Sequence, residues 1–203
     1  MSALFFATGN LGKKAELAAL LAPYGPIEIR TLADFPNFQA APETGATFAE
    51  NALLKARCAA AYAKLPALAD DSGLMVDALG GAPGVFSARY SGEEGNSKAN
   101  NDKLLKALEN VAEGQRQARF CAVLALVCPN GREFLSEGVV EGEILRECRG
   151  DKGFGYDPLF YLPEKKKSMA ELEMAEKNPL SHRGKAFLGI VDKIRAIILA
   201  EKS

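Results

Sequence analysis

Phe120-Cys121-Ala122-Val123-Leu124-Ala125-Leu126-Val127-Cys128, followed at once by Pro129-Asn130-Gly131, is the stretch that decides the fold. An unbroken apolar run of this kind reads as a buried strand, and the Pro-Asn-Gly after it supplies a hairpin turn. The segment from Glu133 through Val139, Val140, Ile144 and Leu145 then reads as the returning strands. An antiparallel section is the first expectation.

The N-terminal part has a different pattern. Ala3-Leu4-Phe5-Phe6-Ala7 is a short continuous apolar run, the look of a strand buried on both faces. After Thr8-Gly9-Asn10, the residues Lys13, Lys14 and Glu16 alternate with Leu11, Ala15, Leu17, Ala18, Leu20 and Leu21 at helical spacing, until Pro23-Tyr24-Gly25-Pro26 breaks the pattern. Ile27-Glu28-Ile29-Arg30 alternates as a second strand, and a Pro-rich loop through Phe35, Pro36 and Pro42 leads to a capping box, Thr47-Phe48-Ala49-Glu50, that opens a helix running to about Lys64. Strand-helix units beside an antiparallel section predict an α/β fold with a mixed sheet flanked by helices.

Composition narrows the classes of function. The chain has 203 residues, 48% of them hydrophobic, which suits one compact domain spanning 1–203 with room for two lobes. With 25 Lys+Arg against 26 Asp+Glu, no broad basic surface is available for nucleic acid. The start, Met1-Ser2-Ala3-Leu4-Phe5-Phe6, lacks the basic region of a signal peptide and the length of a membrane span, so a soluble cytoplasmic protein is expected. Cys58, Cys121, Cys128 and Cys148 show no paired CxxC spacing and are read as reduced, mostly core residues.

The chemistry gathers at a few stretches. Leu68-Ala69-Asp70-Asp71-Ser72-Gly73 ends an apolar run on two adjacent acids. It has two readings: a polar turn closing a strand, or a divalent-metal site, because two buried acids need a cation beside them. Side chains alternate along a strand, so one acid of the pair faces the site, and Asp71 is assigned that role. The turn at Thr8-Gly9-Asn10 opens a helix whose N-terminus could hold a phosphate, with Lys13 adding a charge, or could carry its Gly for geometry alone. Asn51 and Lys55 share a helix face, with Glu43 in the loop before it. Gly150-Asp151-Lys152-Gly153-Phe154-Gly155-Tyr156-Asp157-Pro158 offers two aromatic faces for stacking, or packs them into the core. Ser181-His182-Arg183-Gly184 opens an amphipathic helix with Phe187, Ile190, Val191, Ile194 and Ile198 on one side.

Taken together, Thr8-Gly9-Asn10-x-x-Lys13, Thr47-Phe48-x-Glu50-Asn51-Ala52-x-x-Lys55-Ala56, Asp70-Asp71-Ser72-Gly73, Phe154-Gly155-Tyr156-Asp157-Pro158 and Ser181-His182-Arg183-Gly184 resemble the inosine/xanthosine triphosphate pyrophosphatase family, the Ham1-like house-cleaning nucleotide hydrolases, from about Leu4 to Ile198. The resemblance implies an elongated mixed sheet in two lobes around a nucleotide-binding cleft, a homodimer, and hydrolysis of an aberrant purine triphosphate to monophosphate and pyrophosphate with Mg²⁺. By matching position, Thr8, Gly9, Asn10, Leu11, Gly12 and Lys13 would hold phosphates, with Lys13 and Lys55 assisting catalysis. Asp71 would be general base and metal ligand, and Ser72 would contact the substrate. Phe154, Gly155, Tyr156, Asp157, Lys177, His182 and Arg183 would surround base and sugar. Where relatives carry two acids before Thr-Gly, this chain has Pro42-Glu43, leaving Glu43 as the local candidate for a second metal ligand.

The implied chemistry fits these residue types. A water deprotonated by Asp71 attacks the α-phosphorus once metal and Lys13 neutralise the triphosphate, and pyrophosphate leaves. Donors of His182 and Arg183 would read the purine C6 carbonyl, which adenine lacks. Two rivals remain: a Maf-like pyrophosphatase for modified pyrimidine nucleotides, and a catalytically inactive nucleotide sensor.

Overall fold

The computed structural model describes residues 3–25 and 27–200, so the expectations for Met1, Ser2 and Pro26 fall outside the described residues. In chain order the elements are β1 (Ala3–Phe6), α1 (Leu11–Leu21), β2 (Glu28–Arg30), α2 (Phe48–Ala63), β3 (Ala67–Val76), α3 (Ser97–Ala107), β4 (Gln117–Val127), β5 (Glu133–Ile144), β6 (Phe160–Leu162), β7 (Lys167–Ser168), α4 (Met174–Leu180) and α5 (His182–Ala200). The strands form one seven-stranded sheet in the order β2-β1-β3-β4-β5-β6-β7. β1 runs parallel to β2 and β3, whereas β6 is antiparallel to β5 and β7. The sheet is therefore mixed, and the fold is α/β.

The chain divides into two compact units, each assembled from separate stretches. The first comprises the residues up to Asp71, Ala122–Gly138, and those from Arg183 on. Its sheet is covered on both faces, and strand alternation shows how. Leu4 and Phe6 enter a core with Leu17 and Leu21 of α1 and with Phe187, Ile190, Val191, Ile194 and Ile198 of α5. Phe5 points the other way, its ring 4.5 Å from Phe35 and 5.4 Å from Phe38, which in turn meet Tyr62 of α2. A strand packed on both sides has no polar face, which accounts for the continuous apolar run. Each large side chain that α5 buries contributes ~1.5–3 kcal/mol relative to exposure.

Helix α2 begins where the capping box places it. Glu50 N–H donates to Thr47 Oγ1 at 3.2 Å, and Glu50 Oε2 accepts from the Thr47 and Ala46 N–H groups. At its other end Lys64 takes the left-handed conformation, φ 56°.

The second unit comprises Ser72–Cys121 and Val139–His182. Leu74, Val76, Leu104, Leu108, Phe120, Tyr156, Leu159, Phe160 and Met169 are among its core.

Four local expectations change. Asp70-Asp71-Ser72-Gly73 is neither a turn nor a strand end: β3 continues through it for ten residues, because both acids find cationic partners inside the protein. By its polar, glycine-containing sequence Ser91 to Asn101 reads as an exposed loop leading into a helix around Lys103 to Leu108, but α3 already begins at Ser97, with Asn96 Oδ1 accepting the Ala99 N–H at 3.0 Å. The hairpin partner of β4 is one long strand, β5, joined through a turn in which Gly131, φ +84°, donates to the Cys128 carbonyl. Of the four reduced cysteines, Cys121 and Cys128 are buried but Cys148 is exposed.

Candidate active site

The first unit holds two charge clusters on adjacent residues of β3. Asp70 lies on one side: its Oδ1 accepts from Lys13 Nζ and its Oδ2 from Arg183 Nε at 2.7 Å. Arg183 Nη1 also donates to Glu16. These four charges sum to zero, and Asp70, Glu16 and Arg183 are buried. Burial alone would raise the Asp70 pKa, but the Arg183 and Lys13 cations outweigh it and hold the carboxyl far below the usual range. Burial lowers the Lys13 pKa, with Asp70 acting in the opposite sense.

Asp71 points the other way, as alternation requires. Its Oδ1 accepts from Lys55 Nζ at 2.6 Å, and the same ammonium donates to Glu43 Oε1 at 3.0 Å. Lys55 thus draws two carboxylates to one point. Burial pushes the Asp71 pKa up, and the pull of Lys55 does not cancel it. For Lys55, burial acts against the ammonium, but Asp71 and then Glu43 prevail and its pKa is raised. Glu43 is placed by its loop, where Gly45 N–H donates to Asn51 Oδ1 at 2.8 Å. A side chain on Gly45 would crowd Glu50 Cβ at 2.6 Å and Asn51 Oδ1 at 2.7 Å, so the close approach needs glycine.

The turn before α1 is open. Asn10 caps the helix, with its Oδ1 accepting the Lys13 N–H at 3.0 Å and its own N–H donating to Thr8 Oγ1 at 3.1 Å. Gly9, Asn10 and Leu11 are exposed, Leu11 at 79%, and Thr8, Gly12 and Lys13 are half-buried. An exposed leucine beside a helix N-terminus leaves the positive end of the dipole accessible.

The second unit gathers the aromatic motif. Asp157 Oδ2 accepts from the Phe154 N–H at 2.9 Å and from Lys177 Nζ at 2.6 Å, and that ammonium also lies 5.0 Å from the centre of the Phe154 ring. Gly153, φ +75°, packs so close that any side chain there would collide with Asp157 Oδ2. Asn101 Nδ2 holds the Gly155 carbonyl at 3.1 Å. Ser72 is half-buried on β3. His182, at the start of α5, is buried with its ring stacked on Phe120.

Two expected roles are revised. Tyr156 is not a stacking face: its ring belongs to the core of the second unit and its hydroxyl donates to the Ser87 carbonyl at 2.9 Å, so burial raises the phenol pKa. Phe154, half-buried, is the accessible aromatic face. Arg183 was expected to aim its fork at a purine carbonyl, but it directs Nε and Nη1 to Asp70 and Glu16, because two carboxylates buried this deeply require a cation. Sequence reasoning missed Glu16, although its spacing of three from Lys13 put both on one helix face. It also missed Phe120 and Asn101, for which no local pattern exists.

The Ham1 family model matches residues 4–193, nearly all of the chain. The chain belongs to the Ham1 family. A relative from Desulforamulus reducens, named dITP/XTP pyrophosphatase, is 55% identical over 183 residues, 90% of each chain. One of the same name from Geobacillus kaustophilus is 50% identical over 98% of this chain and 97% of its own. The solved Ham1 protein of Coxiella burnetii is 43% identical with a TM-score of 0.86, covering 97% of this chain and 100% of the other. The Staphylococcus aureus Ham1 protein gives 37% and 0.84, over 96% and 99%.

Proposed function

We propose that this Ham1-family chain hydrolyses aberrant purine nucleoside triphosphates, dITP/ITP and dXTP/XTP, to the monophosphate and pyrophosphate. The observation that carries the reading is the convergence of Asp71 and Glu43 on the Lys55 ammonium. Relatives named dITP/XTP pyrophosphatase, 50–55% identical over nearly the whole chain, support the substrate class.

The donor set suits Mg²⁺, which is held by one or two carboxylates together with substrate phosphates and waters. Substrate phosphates and water would supply the remaining ligands. Asp71 and Glu43 would hold the ion, which when bound supplies positive charge against the triphosphate oxygens. Asp71 takes a proton from the attacking water, and burial, by raising its pKa above the ordinary Asp value, favours that transfer. The water oxygen bonds to the α-phosphorus as the bond from that phosphorus to the bridging oxygen breaks, and pyrophosphate leaves with the bonding pair. Lys13 and Lys55 lie against the negative charge that develops, and the open turn from Thr8 to Lys13 receives phosphate oxygens.

Base recognition is assigned to the aromatic motif and His182. Phe154 offers a stacking face, Ser72 and Gly155 contact the substrate, and Asp157 is fixed by Lys177. His182 is retained as the donor to the C6 carbonyl. Facing the adenine amino group instead, a buried donor is left unpaired at a cost of ~1–3 kcal/mol. Assembly as a homodimer and a cytoplasmic setting complete the proposal. Among the described residues no helix is long and apolar enough to cross a membrane.

The test is incubation with ITP, XTP, dATP and GTP in the presence of Mg²⁺, with product analysis and an EDTA control. Pyrophosphate from ITP and XTP, lost on chelation, is the expected result; orthophosphate, or equal rates on all four, overturns it. Light scattering on the eluting protein checks the dimer.

A further inference from the structure

We propose that Phe120 is a positioning residue for base recognition, holding the His182 imidazole in the plane from which its ring nitrogens meet the purine. The inference rests on the assignment of His182 to the base. The two rings have centroids 4.8 Å apart and an interplanar angle of 17°. Six other ring pairs are tilted or edge-on, with angles from 39° to 88°. The near-parallel stack of Phe120 and His182 differs in geometry from those six pairs.

Phe120 is itself braced. Its ring lies 4.5 Å from that of Phe160, which is fully buried on β6, while Phe120 is fixed on β4. A strand, a second strand and a helix start are thereby joined ring to ring within the second unit. The nitrogens of an imidazole bond in the plane of the ring, and a hydrogen bond weakens steeply once its angle falls below ~120°. Fixing the plane therefore fixes which direction the donor can serve. An aliphatic side chain at position 120 would fill the volume but would let the imidazole turn about its χ2 bond, whose torsional well is broad.

His182 is the single histidine of the chain, so its imidazole proton signals in the NMR spectrum need no assignment among rivals. In the wild-type protein those signals are expected upfield of free histidine, because the ring sits in the shielding region of Phe120; signals at the free-histidine position overturn the proposal without any variant. Phe120→Leu should move them downfield and lower the ratio of kcat/KM for ITP over ATP by roughly two- to tenfold, the factor corresponding to the ~0.5–1.5 kcal/mol of an aromatic pair. Phe120→Tyr should restore both. A displaced signal with an unchanged ratio in Phe120→Leu, while His182→Gln lowers the ratio, overturns the positioning role and leaves the base assignment standing. An unchanged ratio in His182→Gln removes the base assignment itself, and the inference with it.

Discussion

Lys55 Nζ donates to Asp71 Oδ1 at 2.6 Å while the neighbouring acid on the same strand, Asp70, takes a different pair of cations. Adjacent carboxylates thus have separate tasks, set by the face of β3 on which each falls. Asp70 is locked into a neutral four-charge cluster; Asp71 is held by a lysine it shares with Glu43.

Replacing Lys55 with Met removes the charge that lowers the Asp71 pKa, so the acid limb of the pH profile of kcat/KM should move to higher pH. Turnover at neutral pH should also fall on the order of 10²-fold, the usual cost of losing one preorganised charge donor. Rates measured with ITP across the acidic range check both.

Asp71→Asn should reduce kcat by roughly 10²- to 10⁴-fold, the range that general-base catalysis supplies, with ITP affinity largely kept. Single-turnover pyrophosphate release and equilibrium binding separate the two effects. In the wild-type enzyme the acid limb should lie above the ordinary Asp value, because burial raises this carboxyl.

Asp70→Asn leaves the buried Arg183 and the half-buried Lys13 with a deficit of negative charge, and should destabilise the fold by ~3–5 kcal/mol. The sign of its pH dependence follows from the depressed pKa: the unfolded chain binds a proton at this group below pH ~4 while the folded one does not. The stabilisation is present above that pH and is lost as pH falls toward the folded value. Urea unfolding at several pH values should show the wild-type advantage shrinking in acid.

Gly153→Ala should act on binding more than on chemistry. Its φ of +75° already disfavours a side chain, and the added methyl displaces Asp157 from Lys177 and from the Phe154 N–H. KM for ITP should rise roughly tenfold, the equivalent of ~1–2 kcal/mol of left-handed strain, with kcat little changed.

Most of the fold is written in local pattern. The apolar runs of β1 and β4, the capping box at Thr47 and the stripe on α5 each follow from periodicity and cap chemistry, and each is found where the pattern puts it. The middle of β3 could not be read in this way. Turn-forming residues at Asp70-Asp71-Ser72-Gly73 are kept extended by Lys13, Lys55 and Arg183, and pairings over 16 to 113 positions leave no local trace. The ion pairs of Arg183 were illegible for the same reason, since its partners come from α1 and β3. The motifs identified the family, while the division of labour between Asp70 and Asp71 required the distances.

Arg183 lies 113 positions after the carboxylate it neutralises. On the ribosome, Lys13, Glu16 and Asp70 emerge long before their guanidinium is made, and a nascent chain stopping short of it carries two anions against one cation. Water cannot leave that cluster until translation has reached the last helix. The N-terminal half of the enzyme is therefore synthesised early and sealed late, and a chain released prematurely should be a ready target for proteolysis.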